Sequence, residues 1–458
     1  MKSLAPLLLL LTGCATTPHT PTPSITPTLP EAWHSAAPQA LPDTAWWRGF
    51  NDPVLASLVE KALTANTDIA IAASRVEDAR AQLHIANAQT LPLINMGLTG
   101  AHQRDLNAFG VPVTQDAGRA LATMSYDTDL FGRLSNTKGA ARANLLASQA
   151  AQDSVRLATA TTTATAYINL LAADARLKIL TETLAARQSA LQLARRRADA
   201  GYAARLEVNQ AQAEYEAAAQ LIPTVRLSIR RYENALSLLL GEAPATIARG
   251  DGLLSLHVPA PTTIMPSELL RHRPDIFEAE QGVAAADRNL GAARAALMPN
   301  LQLTLSGGRA NSSLLSSGVD VFSLGGSLVA PLFSGGRLEG QVDAATARRE
   351  QAVLGYRKTV LTALRDVEDA LAAGEELKAS EAAIEQQGQA LAISLKLARG
   401  RYEAGYAPYL EQLDAQRSAL AAELALIQSR TDRLNAAVTL FQALGGGWSE
   451  PTDSVERK

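Results

Sequence analysis

The sequence predicts a mainly α-helical chain with a small β part and an internal duplication. The duplication is visible in the phrase Ala-Gly-Tyr, which stands at residues 200–202 and again at residues 404–406. Leucines at heptad spacing, such as Leu170, Leu177 and Leu184, indicate long packed helices. Two pairs of segments that alternate apolar with small polar residues lie at matching places in the two halves, and they indicate the β part.

The composition of the 458-residue chain disfavours several classes of function. A formal net charge of −3 gives no general attraction for nucleic acid, so no nucleic-acid partner is expected. The six histidines are scattered, and the sequence has no motif for zinc hydrolysis, phosphate binding or a serine nucleophile. We therefore expect no catalytic residues, no metal and no cofactor. The basic turn at residues 195–197 is interpreted as a solvated helix end that the helix dipole favours.

The N-terminus has the order of a bacterial secretion signal. Lys2 precedes a short apolar run, and the phrase Leu-Thr-Gly-Cys at residues 11–14 follows that run. This phrase resembles the lipobox of bacterial lipoproteins, which implies a signal peptide at 1–13 and lipidation of Cys14. The alternative is a short buried segment with an incidental thiol. Residues 14–45 would then be the lipidated cysteine and a linker rich in proline and threonine.

Each half of the chain is predicted to contain a helix, two strands, a very long helix, a turn and a last helix. In the first repeat the initial helix is expected near residues 54–91, the long helix over 133–200 and the last helix over 204–241. The predicted domains are a first repeat at 46–242, a connection at 243–266, a second repeat at 267–447 and a C-terminal tail at 448–458.

The turn between the long helix and the last helix is expected to be the tip of a helical hairpin. Gly201 and Gly405 stand where a helix C-terminus favours glycine, and Pro408 suits the first turn of the next helix. The last helix of the second repeat carries a regular apolar seam, which is predicted to pack as in a coiled coil. The seam residues are Leu410, Leu413, Leu420, Leu424, Ile427, Leu434, Val438 and Phe441.

The strand signals lie within residues 92–133 and 299–337. Apolar residues alternate with small polar ones at 94–98 and 301–305, and a less regular strand is expected around 120–130. Such alternation over about ten residues is typical of a transmembrane barrel strand, although a half-buried soluble sheet shows the same pattern. Four strands cannot close a barrel in lipid, since the smallest known barrels have about eight. A barrel would need several copies of the chain, and the residues alone leave their number open.

Four longer motifs carry a resemblance to a known family. They are WWRGFNDPVL at 46–55, RHRPDIFEAE at 271–280, RYEAGYAPYLEQLDAQRS at 401–418 and LFQALGGGW at 440–448. Together and in this order they resemble the TolC-like outer-membrane factor family of Gram-negative efflux systems. They are most similar to its lipoprotein branch, which serves resistance-nodulation-division pumps. The resemblance covers nearly the whole chain.

The resemblance implies a homotrimer in which each protomer gives four strands to a 12-stranded transmembrane β-barrel. The helices would form a trimeric α-helical barrel in the periplasm, with residues 243–266 as an equatorial connection. The expected location is the cell outer membrane, with a lipid anchor and contact to outer-membrane lipid. The expected function is a passive exit duct for drugs or other small molecules in a tripartite pump. Its partners would be a periplasmic adaptor and an inner-membrane resistance-nodulation-division pump.

Two alternative functions remain in view. One is a type I protein-secretion duct of the same family, which the lipobox and the RHRPDI motif disfavour. The other is a periplasmic coiled-coil scaffold lipoprotein without a pore. The strand pairs at matching places in both halves disfavour the scaffold.

The resemblance also implies functional residues at and near the tips. The adaptor would dock on the tip turns through Gly201, Tyr202, Gly405 and Tyr406. The closed end of the duct would be formed by rings of Leu410 and Asp414, which share one face of a helix at i,i+4 spacing. Without the family, Leu410 reads as a seam residue and Asp414 as a solvated carboxylate. The first repeat has Leu206 and Gln210 at these positions, so a carboxylate ring would have one member in each protomer.

Overall fold

A computed structural model describes residues 27–35, 38–41, 43–260 and 262–450. Its helices are α1 (Pro53–Ala65), α2 (Thr67–Ala88), α3 (Arg133–Asp199), α4 (Arg205–Ala219), α5 (Leu221–Leu239), α6 (Pro266–His272), α7 (Pro274–Ala295), α8 (Arg337–Glu403) and α9 (Tyr409–Ala443). Its strands are β1 (Leu93–Leu106), β2 (Pro112–Asp127), β3 (Asn300–Ser312) and β4 (Val319–Val329). The predicted signal peptide, Cys14, the first part of the linker and the end of the tail lie outside the described residues.

The chain forms two compact units, which are described separately. One unit holds the sheet and the helix segments that adjoin it, over residues 74–149 and 278–358. The other holds residues 28–73 and 150–277 and the chain from Thr359 onward. None of the helices in the described ranges combines the length and the apolar character that a membrane crossing requires.

The start of each half differs from the prediction, because two helices stand where one was expected. α1 and α2 are separated by Asn66, which has an extended backbone with ψ of 131°. Its side chain accepts hydrogen bonds from the backbone N–H groups of Asp68 at 2.8 Å and Ile69 at 3.2 Å, as an N-cap does. In the second half, Arg273 separates α6 from α7 with ψ of 120°. Pro274 favours this extended conformation in the residue before it.

The last helix of the first repeat is interrupted, whereas its copy in the second repeat is continuous. α4 ends at Ala219 and α5 begins at Leu221, while α9 runs unbroken for 35 residues. Pro223 accounts for the interruption, because proline has no N–H to donate to the carbonyl oxygen of Ala219. The equivalent residue in α9 is Ile427, which is 4% exposed and leaves the helix intact.

The four predicted strands form one antiparallel sheet in the order β1-β2-β3-β4. Most are longer than expected, with 14, 16, 13 and 11 residues. The second strand differs most from its prediction, since it covers Pro112–Asp127 rather than the region around 120–130. β1 and β4 are the edges of the sheet, and each has one side without a neighbouring strand in the described chain.

One face of the sheet is apolar and exposed. Directly paired residues share a face, and one row across the strands is Ile94, Met124, Leu305 and Leu324. Of these, Ile94 is 69% exposed and Leu324 is 78% exposed. The neighbouring row on the opposite face is Asn95, Thr123, Ser306 and Ser323. The predicted alternation is therefore confirmed, and within one chain its apolar side remains uncovered.

The unit without the sheet has a core in which the two ends of the described chain meet. Trp46 stacks on Phe441 with their ring centroids 5.1 Å apart. The three glycines at 445–447 all have positive φ, and a Cβ on Gly447 would lie 2.7 Å from the backbone nitrogen of Thr44. Glycine is required there because it tolerates both the left-handed backbone and the close approach.

A buried chain of hydrogen bonds holds the connection between the repeats against the helices. Asp52 caps α1, and its Oδ1 accepts from the backbone N–H of Val54 at 2.7 Å. The hydroxyl of Tyr167 donates to Asp52 Oδ2 at 3.1 Å and accepts from the backbone N–H of Gly250 at 2.9 Å. Burial is the main reason that the pKa of Tyr167 is raised. This chain of bonds fixes part of the predicted equatorial connection beside α1 and α3.

Candidate docking tip and gate

The two tip turns have the same backbone hydrogen bonds. In the first turn, the N–H of Tyr202 donates to the carbonyl oxygen of Arg197 at 2.8 Å, and the N–H of Gly201 donates to that of Ala198 at 3.0 Å. The second turn repeats both bonds at the same distances within residues 401–406. This pattern is the Schellman motif, which closes a helix at its C-terminus. The predicted helix-ending role of the glycines is therefore confirmed.

The turns present exposed aromatic side chains on a defined backbone. Gly201 and Gly405 have φ of 77° and 80°. A Cβ at either glycine would meet no atom within 4 Å, so the left-handed backbone rather than crowding requires glycine. The next residues, Tyr202 and Tyr406, are 86% and 82% exposed. Each tip thus offers a tyrosine ring that the protomer itself leaves uncovered.

Arg197 joins the ends of α3 and α8. Its guanidinium donates to the carbonyl oxygens of Glu403 at 3.1 Å and Tyr402 at 3.4 Å, and it lies 4.6 Å from the ring centroid of Tyr402. These carbonyls belong to the last turn of α8, where a helix leaves its acceptors without helical partners. The prediction of a solvated basic turn is therefore wrong for Arg197. The position of Arg197 near the end of α3 correctly suggested that its side chain interacts with a helix C-terminus. The helix end that it contacts is that of α8 and not that of α3.

Tyr402 connects α8 to α4 beneath the tips. Its hydroxyl donates a hydrogen bond to a carboxylate oxygen of Glu207, and its ring lies 5.5 Å from that of Tyr409. Both tyrosines are buried, at 3% and 4% exposure. Burial, followed by the hydrogen bond to Glu207, raises the pKa of Tyr402 to about 12. The two repeats therefore share one small core at the tips.

The structure places Leu410 and Asp414 on an exposed side of α9. Leu410 is 59% exposed, although Tyr409 and Leu413 beside it are 4% and 2% exposed. Asp414 is also exposed. The other predicted seam residues are buried or half-buried, so the seam prediction is wrong for Leu410. Its copy in the first repeat, Leu206, is likewise 66% exposed, so each repeat presents an uncovered leucine after its tip.

An ion-pair cluster around the buried carboxylate of Glu214 holds α9 just beyond Asp414. Glu214 of α4 accepts from Arg417 of α9, with Nε and Oε1 2.9 Å apart, and from Arg187 of α3, with Nη1 and Oε2 3.1 Å apart. The side chains of Arg187 and Glu214 are 7% and 8% exposed. Loss of Glu214 would leave the buried charge of Arg187 uncompensated, so this carboxylate fixes the three helices together. Sequence analysis missed this cluster, because no local pattern marks residues that meet only after folding.

A groove of about 920 Å³ lies beside the tips, between α3, α8 and α9. Gln412 and Gln416 line this groove, and their side-chain oxygens are buried without a donor from the described residues. Gln412 is only 5% exposed. These two oxygens are therefore covered by the protomer itself and are not exposed to a molecule in the groove.

The chemistry available around the tips is that of binding and occlusion. Exposed leucine and tyrosine side chains can pack against a partner or against copies of themselves, and Asp414 adds a negative charge beside Leu410. Within the described parts of the chain, no group of three or more His, Cys, Asp or Glu side chains could hold a metal ion.

Comparison with known proteins gives one consistent family. The model for the family described as outer membrane efflux protein matches residues 58–242 and 265–446. Outer membrane protein OprJ of Pseudomonas aeruginosa is 38% identical over 436 residues, which are 92% of this chain and 90% of that protein. The toluene efflux pump outer membrane protein TtgF of Pseudomonas putida is 36% identical over 414 residues, covering 88% and 85%.

Solved structures share the fold. The crystal structure of a membrane protein from Pseudomonas aeruginosa matches with a TM-score of 0.85 at 35% identity, over 92% of this chain and 98% of that one. The outer-membrane channel OprN matches with a TM-score of 0.82 at 26% identity, over 92% and 99%. The predicted fold, mainly helical with a small sheet, is therefore confirmed by the structures of similar proteins.

The link made by Arg197 can be tested by its removal. Arg197→Ala should speed amide hydrogen exchange in the last turn of α8 by about tenfold, because charge-assisted bonds to that turn are lost. The matched control is Arg196→Ala, which removes the neighbouring exposed arginine and should leave exchange unchanged. Equal exchange in both variants would show that Arg197 does not hold the tips together.

Proposed function

The chain belongs to the outer membrane efflux protein family, and from this premise we propose that it is the outer-membrane exit duct of a tripartite efflux pump. The observation that carries the proposal is the family match over both repeats, supported by the likeness to OprJ over 92% of the chain. The duct conducts drugs or other small molecules passively from the periplasm to the exterior. It is a transport channel rather than an enzyme.

The sheet supports assembly from several copies. β1 and β4 are its edges, so β4 of one copy can pair with β1 of the next around a ring. The apolar face then contacts lipid on the outside, and the row of Asn95, Thr123, Ser306 and Ser323 faces the passage. Three copies, as the family resemblance implies, give a barrel of twelve strands and a homotrimer.

The exposed apolar face also distinguishes the duct from the alternative of a periplasmic scaffold. Met96, Leu98 and Phe322 are 78%, 77% and 87% exposed on one side of the sheet. A protein surrounded by water rarely exposes a contiguous apolar patch of this kind, unless it is a contact surface. The secretion-duct alternative is disfavoured by relatives such as TtgF, whose name assigns it to an efflux pump.

The tip turns are the proposed docking site for the periplasmic adaptor, which links the duct to an inner-membrane resistance-nodulation-division pump. Gly201 and Gly405 hold the turns, and Tyr202 and Tyr406 present rings that are more than four-fifths exposed. Aromatic side chains on a rigid backbone are favourable anchors, since little conformational entropy is lost when a partner covers them.

The proposed gate consists of Leu410 and Asp414. Leu410 is an apolar side chain that its own protomer does not cover, so it is available to pack against copies of itself around an axis. Asp414 lies one turn further along α9, and a ring of such carboxylates favours cations over anions. Adaptor binding would open the gate by shifting the population towards separated helix tips.

Lipidation of Cys14 is proposed from the phrase Leu-Thr-Gly-Cys, after cleavage of residues 1–13. Metabolic labelling with a palmitate analogue should mark the wild-type protein, and Cys14→Ser should lose the label. Export should persist in this variant if the barrel itself anchors the assembly. A label that survives the substitution would refute lipidation at Cys14.

The docking role of the tips can be tested by Gly201→Val and Gly405→Val. Valine is strained at positive φ, so each turn should lose its shape at a cost of roughly 1–3 kcal/mol, and drug export should fall to background. The assembly should remain intact on a native gel, since a Cβ added at either glycine would meet no atom within 4 Å. Gly388→Val is the matched control, because Gly388 lies inside α8 with open space at its Cβ position. Normal export by both tip variants would show that the turns only connect the helices and do not dock the adaptor.

The gate can be tested by single-channel recording in a planar bilayer. Leu410→Ala should raise the resting conductance several-fold, because a smaller side chain leaves a wider passage at the ring. Asp414→Ala should weaken cation selectivity, because the fixed negative charge is lost. The controls are Leu206→Ala and Gln210→Ala, which alter the equivalent positions of the first repeat.

The double variant at positions 410 and 414 tests the duct as well as the gate. It should admit large antibiotics into cells in the absence of a pump. Wild-type conductance and selectivity in this variant would place the gate elsewhere. A purified assembly that carries no current in any variant would contradict the duct itself.

A further inference from the structure

A cavity of about 320 Å³ lies at the foot of the sheet, where three links between strands and helices meet. The links are those from β2 to α3, from α7 to β3 and from β4 to α8. Arg133, Arg337 and Asp129 are the charged residues that line the cavity. None of the proposed functional residues at the tips or the gate takes part in it.

The equivalent arginines of the two repeats differ in their ion-pair partners. In the first repeat, Arg133 is paired with Asp127, with Nη2 and Oδ2 2.8 Å apart. In the second repeat, Arg337 occupies the equivalent position at the start of α8, and Val329 stands where the first repeat has Asp127. Arg337 is exposed, and no carboxylate of the described chain forms an ion pair with it. At equivalent positions, the arginine of the first repeat therefore has an ion-pair partner, whereas the arginine of the second repeat has none within the described chain.

The carboxylates nearest to the cavity are already engaged. Asp129 accepts from the backbone N–H groups of Leu134 at 2.7 Å and Ser135 at 2.8 Å, and so caps α3. Pro331 stands where the second repeat would have an equivalent of Asp129. Glu339, in the first turn of α8, accepts from the hydroxyl of Ser334 at 3.0 Å. An anion that reaches Arg337 thus replaces a missing internal partner.

Exposed apolar side chains line the cavity or precede Arg337 closely in the sequence. Leu332 and Phe333 are 96% and 92% exposed, and they lie in the same link as Arg337. Leu130, in the matching link of the first repeat, is 55% exposed and lines the cavity. Uncovered apolar groups next to an arginine without a partner match a molecule with a phosphate and hydrocarbon chains.

We propose that a glycerophospholipid binds here, with its phosphate on Arg337 in the cavity and its acyl chains along Leu332 and Phe333 in the exposed link that leads to Arg337. Arginine suits a phosphate because its planar group can donate two parallel hydrogen bonds. The charge of Arg337 would bind the phosphate of the headgroup, and Leu332 and Phe333 would contact the acyl chains. The arginine alone would fit a free anion, and the two apolar side chains alone would fit any apolar surface.

The test uses the full-length protein in its native assembly, freed of loosely bound lipid in detergent. Dioleoylphosphatidylethanolamine is titrated in, and the bound lipid is counted by native mass spectrometry. Arg337→Ala should weaken binding about tenfold, which corresponds to roughly 1.4 kcal/mol. Arg337→Lys should retain part of the affinity, because the charge remains while the planar donor pair is lost. Arg348→Ala is the matched control and should bind as the wild type does, because it removes an exposed arginine of α8 that does not line the cavity.

Two further probes separate the phosphate from the chains. Dioleoylglycerol lacks the phosphate, so its weaker binding should be the same in wild type and in Arg337→Ala. The double variant Leu332→Ser with Phe333→Ser should weaken binding of both lipids. Inorganic phosphate in large excess should not displace the phospholipid, because it cannot use the apolar contacts.

Three outcomes would overturn the proposal. Unchanged phospholipid binding in Arg337→Ala would remove the arginine from the site. Full displacement by inorganic phosphate would identify a site for the free anion instead. A variant at Arg337 that lowers the thermal stability of the assembly but binds phospholipid normally would show that a neighbouring copy of the chain is the true partner.

Discussion

The incomplete sheet is the constraint on which the rest of the structure depends. Its edge strands β1 and β4 each leave one row of backbone groups without a strand partner in the described chain, and its apolar face has no protein cover. In a bilayer each unsatisfied backbone group costs several kcal/mol, so a single copy cannot be the final state. Edge-to-edge closure with further copies satisfies both edges at once. The matching lengths of α3 and α8, with 67 residues each, allow equivalent parts of every repeat to come into register.

The duplication preserves the backbone plan and varies the chemistry placed on it. Both repeats end a long helix with the same Schellman turn, and both contribute two strands to one sheet. The differences lie in single side chains. Pro223 interrupts the last helix of the first repeat, whereas Ile427 at the equivalent position leaves the helix of the second repeat continuous. Asp127 pairs with Arg133 in the first repeat, whereas Val329 at the equivalent position gives Arg337 no such partner. The two repeats thus share one backbone arrangement and differ in the side chains at a few equivalent positions.

The parts of this structure that follow from local sequence were predictable, and the parts that depend on distant contacts were not. Gly201 and Gly405 predict their turns, because a residue with a left-handed backbone at the end of a helix is usually glycine. Alternation identified β1, β3 and β4, since side chains on a strand point to opposite faces, whereas the less regular β2 was placed only in part. Asn66 breaks the first helix without a proline or glycine to mark the place. Arg197 and Glu214 find their partners on other helices, and Leu410 fits a seam by spacing yet remains exposed within the chain.

The contact of Trp46 with Phe441, together with the glycines at 445–447, has a consequence for the life of the protein before assembly. A ribosome releases the N-terminal partner of this contact long before it makes the C-terminal one. Any chain that ends early leaves Trp46 without its ring partner and Thr44 without the glycine turn against it. In such a fragment the face of Trp46 that stacks on Phe441 has lost its cover. The core around Trp46 is therefore complete only when the chain has been made as far as Gly447.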